Sequence, residues 1–212
     1  MPHLFVDVSA HGLGHLAQTA PVLEALAQRL PALRLTLRSG LSTAQLQQRI
    51  GHPFAHIEAA SDVAFLMHDA VRVDREASAA AYRRHHADWA RHVAAEAEFL
   101  AALAPDLVLS NVSALPLAGA RRAGLPAAAL CSLHWADQFA FLFGGEAWAV
   151  GILAELQAVY AGADAFLRCL PAAAMPALRN VVDVPPIARV GRRDRAALAA
   201  LLYTGGDVGK LV

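Results

Sequence analysis

Residues 3–26, HLFVDVSAHGLGHLAQTAPVLEAL, decide how the rest of the chain is read. The run His3–Val8 is short and almost wholly apolar, as a strand buried on both faces requires, with Asp7 as its one acidic residue. Gly12 and Gly14 interrupt it. Leu16, Ala20, Leu23, Ala27 and Leu30 then recur at helical spacing until Pro31 ends the pattern. A strand, a glycine turn and a helix form the opening unit of a parallel sheet with crossover helices.

The same alternation continues outward. Residues 33–38 (LRLTLR) predict a second strand by their period of two, residues 42–50 a short helix stopped by Gly51 and Pro53, and residues 54–58 a third strand. Residues 61–75 carry no regular pattern. Residues 76–104 contain neither glycine nor proline and predict one long helix closed by Pro105. Strands are expected at 106–110 (DLVLS), 127–131 and 165–169, and helices at 114–124, 146–162 and 194–202. Pro171, Pro176, Pro185 and Pro186 mark extended loops. The fold expected is α/β, a doubly wound, mostly parallel Rossmann-like sheet. Residues 1–190 read as one such domain and residues 191–212 as a linker and the start of another. Residues 205–210 (GGDVGK) approach a phosphate-binding loop but are one residue short of its spacing, and Leu211 stands where Ser or Thr would hold magnesium.

Composition narrows the classes. The chain has 212 residues, 57% hydrophobic and 17% charged, which excludes a disordered chain. Eighteen basic residues balance eighteen acidic ones, so a dedicated nucleic-acid binder is not expected. Two cysteines, Cys131 and Cys169, exclude a disulfide scaffold or a four-cysteine zinc site. A spanning helix needs roughly 20 uncharged apolar residues; the best candidate, residues 139–156, is broken by Gly144, Gly145, Glu146 and Gly151. No secretory leader is legible at residues 1–12. A cytoplasmic protein is expected, with at most peripheral membrane association.

Ligands of such sheets bind outside the carboxyl ends of the strands. The loop His11-Gly12-Leu13-Gly14-His15 lies at the first of these ends. Its glycines allow close approach, the helix it opens favours an anion, and His15 has a pKa suited to a general base. Other readings stay open. Gly12, Gly14 and Ala17 fit a dinucleotide fingerprint, with Arg38 and Ser39 where an acidic ribose ligand is usual, which suits NADP. His11 and His15 without a third ligand make a poor metal site, and no metal is expected. A plain turn with two surface histidines is the remaining alternative.

Further candidates sit near the other strand ends. Ser110, Asn111 and Ser113 follow the fourth strand, without the G-x-S-x-G elbow of a hydrolase. His134, Trp135 and Asp137 follow the fifth; the indole suits either stacking on a sugar or base, or plugging the core. Asp74 and Arg75 precede the long helix, as a charged helix start or as site residues. His85, His86 and His92 form a polar helix face or a cleft wall. The apolar run 139–143 belongs to the core or to an interface.

Two of these segments also resemble a known group. HGLGHLAQTAPVLEAL (residues 11–26) is similar to the G-x-G-H loop and first helix of the N-terminal domain of GT-B fold glycosyltransferases. PDLVLSNVSALPLAGARRAGLPAAAL (residues 105–130) is similar to their segment of proline-aspartate, strand, helix and strand. VRVDREASAAAY (residues 71–82) and SLHWADQF (residues 132–139) resemble, more narrowly, the glycosyltransferase-like domain of arabinokinases and its bacterial relatives.

The resemblance implies the N-terminal, acceptor-side half of a GT-B enzyme. Such an enzyme transfers sugar from a nucleotide-sugar, UDP-linked by expectation, to a hydroxyl or amine of a small-molecule or glycan acceptor, with no tightly bound cofactor. It implies His15 as the base, Asn111 as its orienting partner, and Gly12 and Gly14 near the donor diphosphate. The remaining expected contacts to substrate are His11, Leu13, Asp74, Arg75, Ser110, Ser113, His134, Trp135 and Asp137. Where related enzymes carry an aspartate after the fourth strand, this chain has Asn111. An amide orients an imidazole but offers no full charge to an imidazolium. Asp7 and Asp137 are the carboxylates then available to substitute. A donor-binding domain is expected in cis or in trans. An NADP-binding oxidoreductase domain and a non-catalytic sugar-sensing or interaction domain are the alternatives.

Overall fold

The computed structural model describes residues 1–188 and 194–202. Its elements run β1 (His3–Val8), α1 (Gly14–Arg29), β2 (Arg34–Ser39), α2 (Thr43–Gln47), β3 (Ala55–Glu58), α3 (Arg75–Ala87), α4 (Trp89–Leu103), β4 (Leu107–Asn111), α5 (Ala114–Ala123), β5 (Ala127–Cys131), α6 (Trp135–Phe143), α7 (Ala149–Ala161), β6 (Ala165–Cys169), β7 (Val181–Val184) and α8 (Arg195–Leu202). The boundary expected at residue 190 and the segment 205–210 lie outside the described residues. The seven strands form one all-parallel sheet in the order β3-β2-β1-β4-β5-β6-β7. Strand order reverses between β1 and β4, which is where an open α/β sheet leaves a crevice.

The strands bury both faces, so the core has two halves. Leu4, Val6, Val8, Leu35, Leu37, Leu109 and Leu130 pack with Leu16, Leu23 and Leu46 of α1 and α2. Phe5, Val108, Ala129 and Phe166 pack on the opposite face, with Leu100 and Leu117 of α4 and α5 and with Phe139, Phe143 and Tyr160 of α6 and α7. On this second face lies a buried ion cluster. Arg38 donates from Nε to Asp7 (2.6 Å) and from both terminal nitrogens to the two oxygens of Glu96 (2.8 and 2.7 Å), while Ser61 donates to the other Asp7 oxygen (2.7 Å). Gly119 of α5 lets Glu96 of α4 in, because a Cβ there would overlap the Glu96 side chain.

Three elements depart from the sequence expectation. The long helix is two helices, α3 and α4, broken at Asp88, whose backbone leaves helical geometry without help from glycine or proline. Residues 135–143 are helical, capped by His134; Phe139 and Phe143 fill the core one turn apart, and Phe141 is exposed. Residues 181–184, among the prolines, add an edge strand, a position that tolerates proline nearby.

Candidate functional site

The crevice between β1 and β4 is built from one residue of each neighbouring element. His15 lies in the first turn of α1, and Asn111 is the last residue of β4. The two side chains meet with His15 Nδ1 2.8 Å from Asn111 Oδ1. Asn111 Nδ2 donates to Thr19 Oγ1 at 3.0 Å and toward the His15 carbonyl at 3.3 Å, and Thr19 Oγ1 donates to that carbonyl at 2.9 Å. These bonds fix Oδ1 as the amide's acceptor, so the His15 proton sits on Nδ1 and the lone pair on Nε2. Among the described residues no partner is recorded for Nε2. His15 is buried, not open to the crevice along its whole ring. Burial lowers its pKa; the Asn111 bond and the Asp62 carboxylate raise it, and His11 lowers it, with a net shift below the ordinary imidazole value. A neutral imidazole with a directed lone pair is a competent proton acceptor near neutral pH.

The loop before His15 is open. Gly12 adopts φ +80°, a conformation that suits glycine, and its N–H closes a tight turn onto Ala10 O (2.8 Å). A Cβ added at Gly12 or Gly14 would meet no atom within 4 Å. The chain's own packing therefore does not explain glycine at position 14. Leu13 is exposed and precedes α1 without a side-chain cap, and the first turn holds no acidic residue. The helix thus begins with uncapped N–H groups beside a surface free of side chains, which suits an anionic ligand.

Trp135 closes the other side. It is buried, with ring centroids 5.5 Å from both His11 and His15 in edge-on geometry, and 5.7 Å from Phe65. Its Nε1 donates to Asp62 Oδ2 at 2.9 Å. This indole is a wall of the site, not an exposed stacking platform. Asp62 escaped the sequence reading because it lies in the patternless stretch 61–75, and its partner follows 73 residues later.

The other candidates divide. Asp7 is held by Arg38 and Ser61 on the opposite sheet face. Arg38 is thereby fully engaged, which leaves no free guanidinium for the 2′-phosphate of NADP at that position. His134 caps α6: its Nδ1 accepts from the Asp137 N–H at 3.2 Å, and its ring packs on Tyr160 and Phe166. Its buried Nε2 lies 3.3 Å from Asp137 Oδ2 outside hydrogen-bonding geometry. Asp137 therefore serves His134, not His15. Ser110 Oγ donates to the Ser113 carbonyl (2.7 Å), and Ser113 Oγ is buried without a partner. Asp74 caps α3 by accepting from Ala77 N–H (2.9 Å), and Arg75 pairs with Glu146 at the surface (2.8 Å). These last two have no recorded contact with His15. Among the described residues no cluster of three or more His, Cys, Asp or Glu has the arrangement of a metal site, and no helix is long and apolar enough to cross a membrane.

No known family profile and no curated protein sequence matches the chain. Solved structures do. A UGT2 from Phytolacca americana, complexed with UDP-2-fluoro-glucose and pterostilbene, aligns with a TM-score of 0.51 at 15% identity over 90% of this chain and 55% of its own. A UDP-glucosyltransferase from Polygonum tinctorium capable of glucosylating indoxyl aligns at 0.52 and 13% identity, over 93% and 55%. The glycosyltransferase of kitacinnamycin aligns at 0.52 and 16%, over 92% and 54%. The chain thus spans about half the length of these proteins. At such identities the likeness establishes the fold, a Rossmann-like α/β unit of the kind found in GT-B glycosyltransferases.

Proposed function

We propose that this chain is the acceptor-side half of a sugar-transferring enzyme. The observation that carries the reading is the pairing of His15 Nδ1 with Asn111 Oδ1 at 2.8 Å, which leaves the Nε2 lone pair as the base beside an open glycine loop. An acceptor hydroxyl or amine gives its proton to Nε2 as its oxygen or nitrogen bonds to the anomeric carbon. The bond from that carbon to the nucleotide diphosphate breaks, and the diphosphate leaves. The uncapped start of α1 and the surface at Gly12 and Gly14 favour the negative charge that gathers on the leaving group. The fold likeness to a UGT2 complexed with UDP-2-fluoro-glucose and pterostilbene, and to a UDP-glucosyltransferase, supports a UDP-linked donor and a small-molecule or glycan acceptor. The donor-binding half is supplied by further polypeptide, in cis or in trans, with residues 191–212 leading toward it in the first case. The narrower kinship to the arabinokinase group rests on residues 71–82 and 132–139.

The test is release of UDP from UDP-glucose and related donors by the protein together with its donor-binding half, over a panel of alcohol and amine acceptors. His15→Ala is expected to lower turnover by ~10²–10⁴-fold, as loss of a general base does. An unchanged rate removes His15 from the chemistry. A second reading, a sugar-sensing domain without transfer, is favoured by the amide at Asn111, which carries no charge to stabilise a protonated His15. Sugar binding with no UDP release from any acceptor selects it.

A further inference from the structure

We propose that Asp62 is the charged partner of His15, acting across Trp135 and supplying the negative charge that Asn111 lacks. The proposal deepens the reading of the site as a general-base centre and rests on it for its catalytic meaning. Two observations converge on Asp62. Its Oδ2 accepts the Trp135 indole N–H at 2.9 Å, and the same indole stands 5.5 Å from the His15 ring, so one side chain holds carboxylate and imidazole in a fixed relation. The adjacent Ser61 is pinned to Asp7 at 2.7 Å within the buried ion cluster, which anchors this otherwise irregular segment against the sheet.

The groups around the pair leave Asp62 as the charge able to respond to His15. Asp7 and Glu96 both pair with Arg38, whose single positive charge offsets one of the two, and the carboxylate whose charge acts on His15 is Asp62. Tyr82 of α3 and Tyr160 of α7 face Asp62 but are held neutral by burial well above physiological pH. Asp62 also lines a cavity of about 340 Å³ shared with His85, His92 and Glu96. His85 stays neutral until about pH 4, because burial and the neighbouring His86 and His92 disfavour its charged form. His11 faces His15 and disfavours its protonation, and Cys131 lies 3.7 Å from His15 Nδ1 with its thiol pKa raised by burial. Burial, followed by the Asp7 charge, raises the Asp62 pKa; donors at Ser9 and Trp135 oppose this, as does His15. As His15 accepts a proton in catalysis, the nearby carboxylate stabilises the imidazolium without itself being protonated.

The experiment is NMR titration of the His15 imidazole in the intact chain, with its signal assigned by its loss in His15→Gln. Asp62→Asn is expected to move the His15 midpoint downward by about one unit, the lower end of the effect of a nearby opposite charge. Asp62→Glu is expected to restore it in part. An unchanged or raised midpoint in a folded Asp62→Asn protein overturns the proposal. If that variant does not fold, the unaltered protein decides: the Asp62 carboxyl carbon and the His15 ring carbon should each show the other's midpoint as a second inflection. Independent single midpoints overturn the proposal, as does an Asp62 that is protonated at pH 7. The readout needs no substrate, so it separates this inference from the proposed transfer activity. A shifted midpoint without UDP release sinks the transfer reading alone, and transfer with an unshifted midpoint sinks the role of Asp62 alone.

Discussion

His15 and His134 occupy equivalent positions in the architecture and have opposite uses. Each follows a central strand, each begins a helix, each is buried, and each is held neutral chiefly by burial. The difference is the tautomer. Asn111 accepts from His15 Nδ1 and leaves the Nε2 lone pair unclaimed. His134 spends its Nδ1 lone pair on the Asp137 N–H as a helix cap, so its proton lies on Nε2, buried 3.3 Å from Asp137 Oδ2, while the ring packs on Tyr160 and Phe166. Proximity to a strand end selects both residues; the nitrogen left over distinguishes the one with an unclaimed lone pair.

The comparison is most sharply tested by truncating the architectural histidine. His134→Ala should cost about 3 kcal/mol of stability, the lower range for removal of a buried ring, measured by denaturant unfolding. Turnover per folded molecule should be retained, in contrast to His15→Ala. A stable His134→Ala protein with turnover lost would reverse the two assignments.

A smaller effect follows from what the two share. His15, His85 and His134 have native pKa values below the ordinary imidazole value, His85 at about 4. The unfolded chain therefore binds more protons in this range, and stability rises with pH. Their contribution is fully present above about pH 6.5 and is lost as pH falls toward 4. Calorimetry should show Tm declining between these limits, with a shallower slope in His15→Gln and in His134→Gln. A flat Tm would mean that neither ring is kept neutral by the fold.

The smallest expected change separates the loops themselves. Gly14→Ala meets no atom of the chain and occupies a helical position, so stability should be unchanged or rise by up to ~1 kcal/mol. Binding of a UDP-sugar should weaken, as calorimetric titration would read it. Undiminished binding would show that the open face at Gly14 does not admit the donor.

Much of this molecule can be read from local pattern. The strands β1, β4, β5 and β6 are legible because burial leaves short, mostly apolar runs bounded by glycine, proline and charge, and β2 by its alternation of period two. Helix α6 is not, because nine residues make only about two and a half turns and the exposed Phe141 interrupts the polar face begun by Asp137 and Gln138. The break at Asp88 is hidden for another reason: the residues on either side are good helix formers, and the chain turns there so that both helices can pack. His15 and Asn111 are legible as candidates because strand ends mark where side chains converge. Asp62 has no such marker, since its position is set by Trp135 and the anchoring of Ser61 to Asp7.

The bond between His15 and Asn111 joins residues 96 positions apart. During synthesis α1 emerges long before β4, and for that interval β1 has only β2 as a neighbour. The amide that orients the imidazole arrives with the last residue of the strand that completes the sheet's centre. The nascent chain is thus without an oriented His15 imidazole until the ribosome has passed residue 111, and the indole wall must wait for residue 135. The geometry of the site is assembled late in translation and in order, as a by-product of strand sequence.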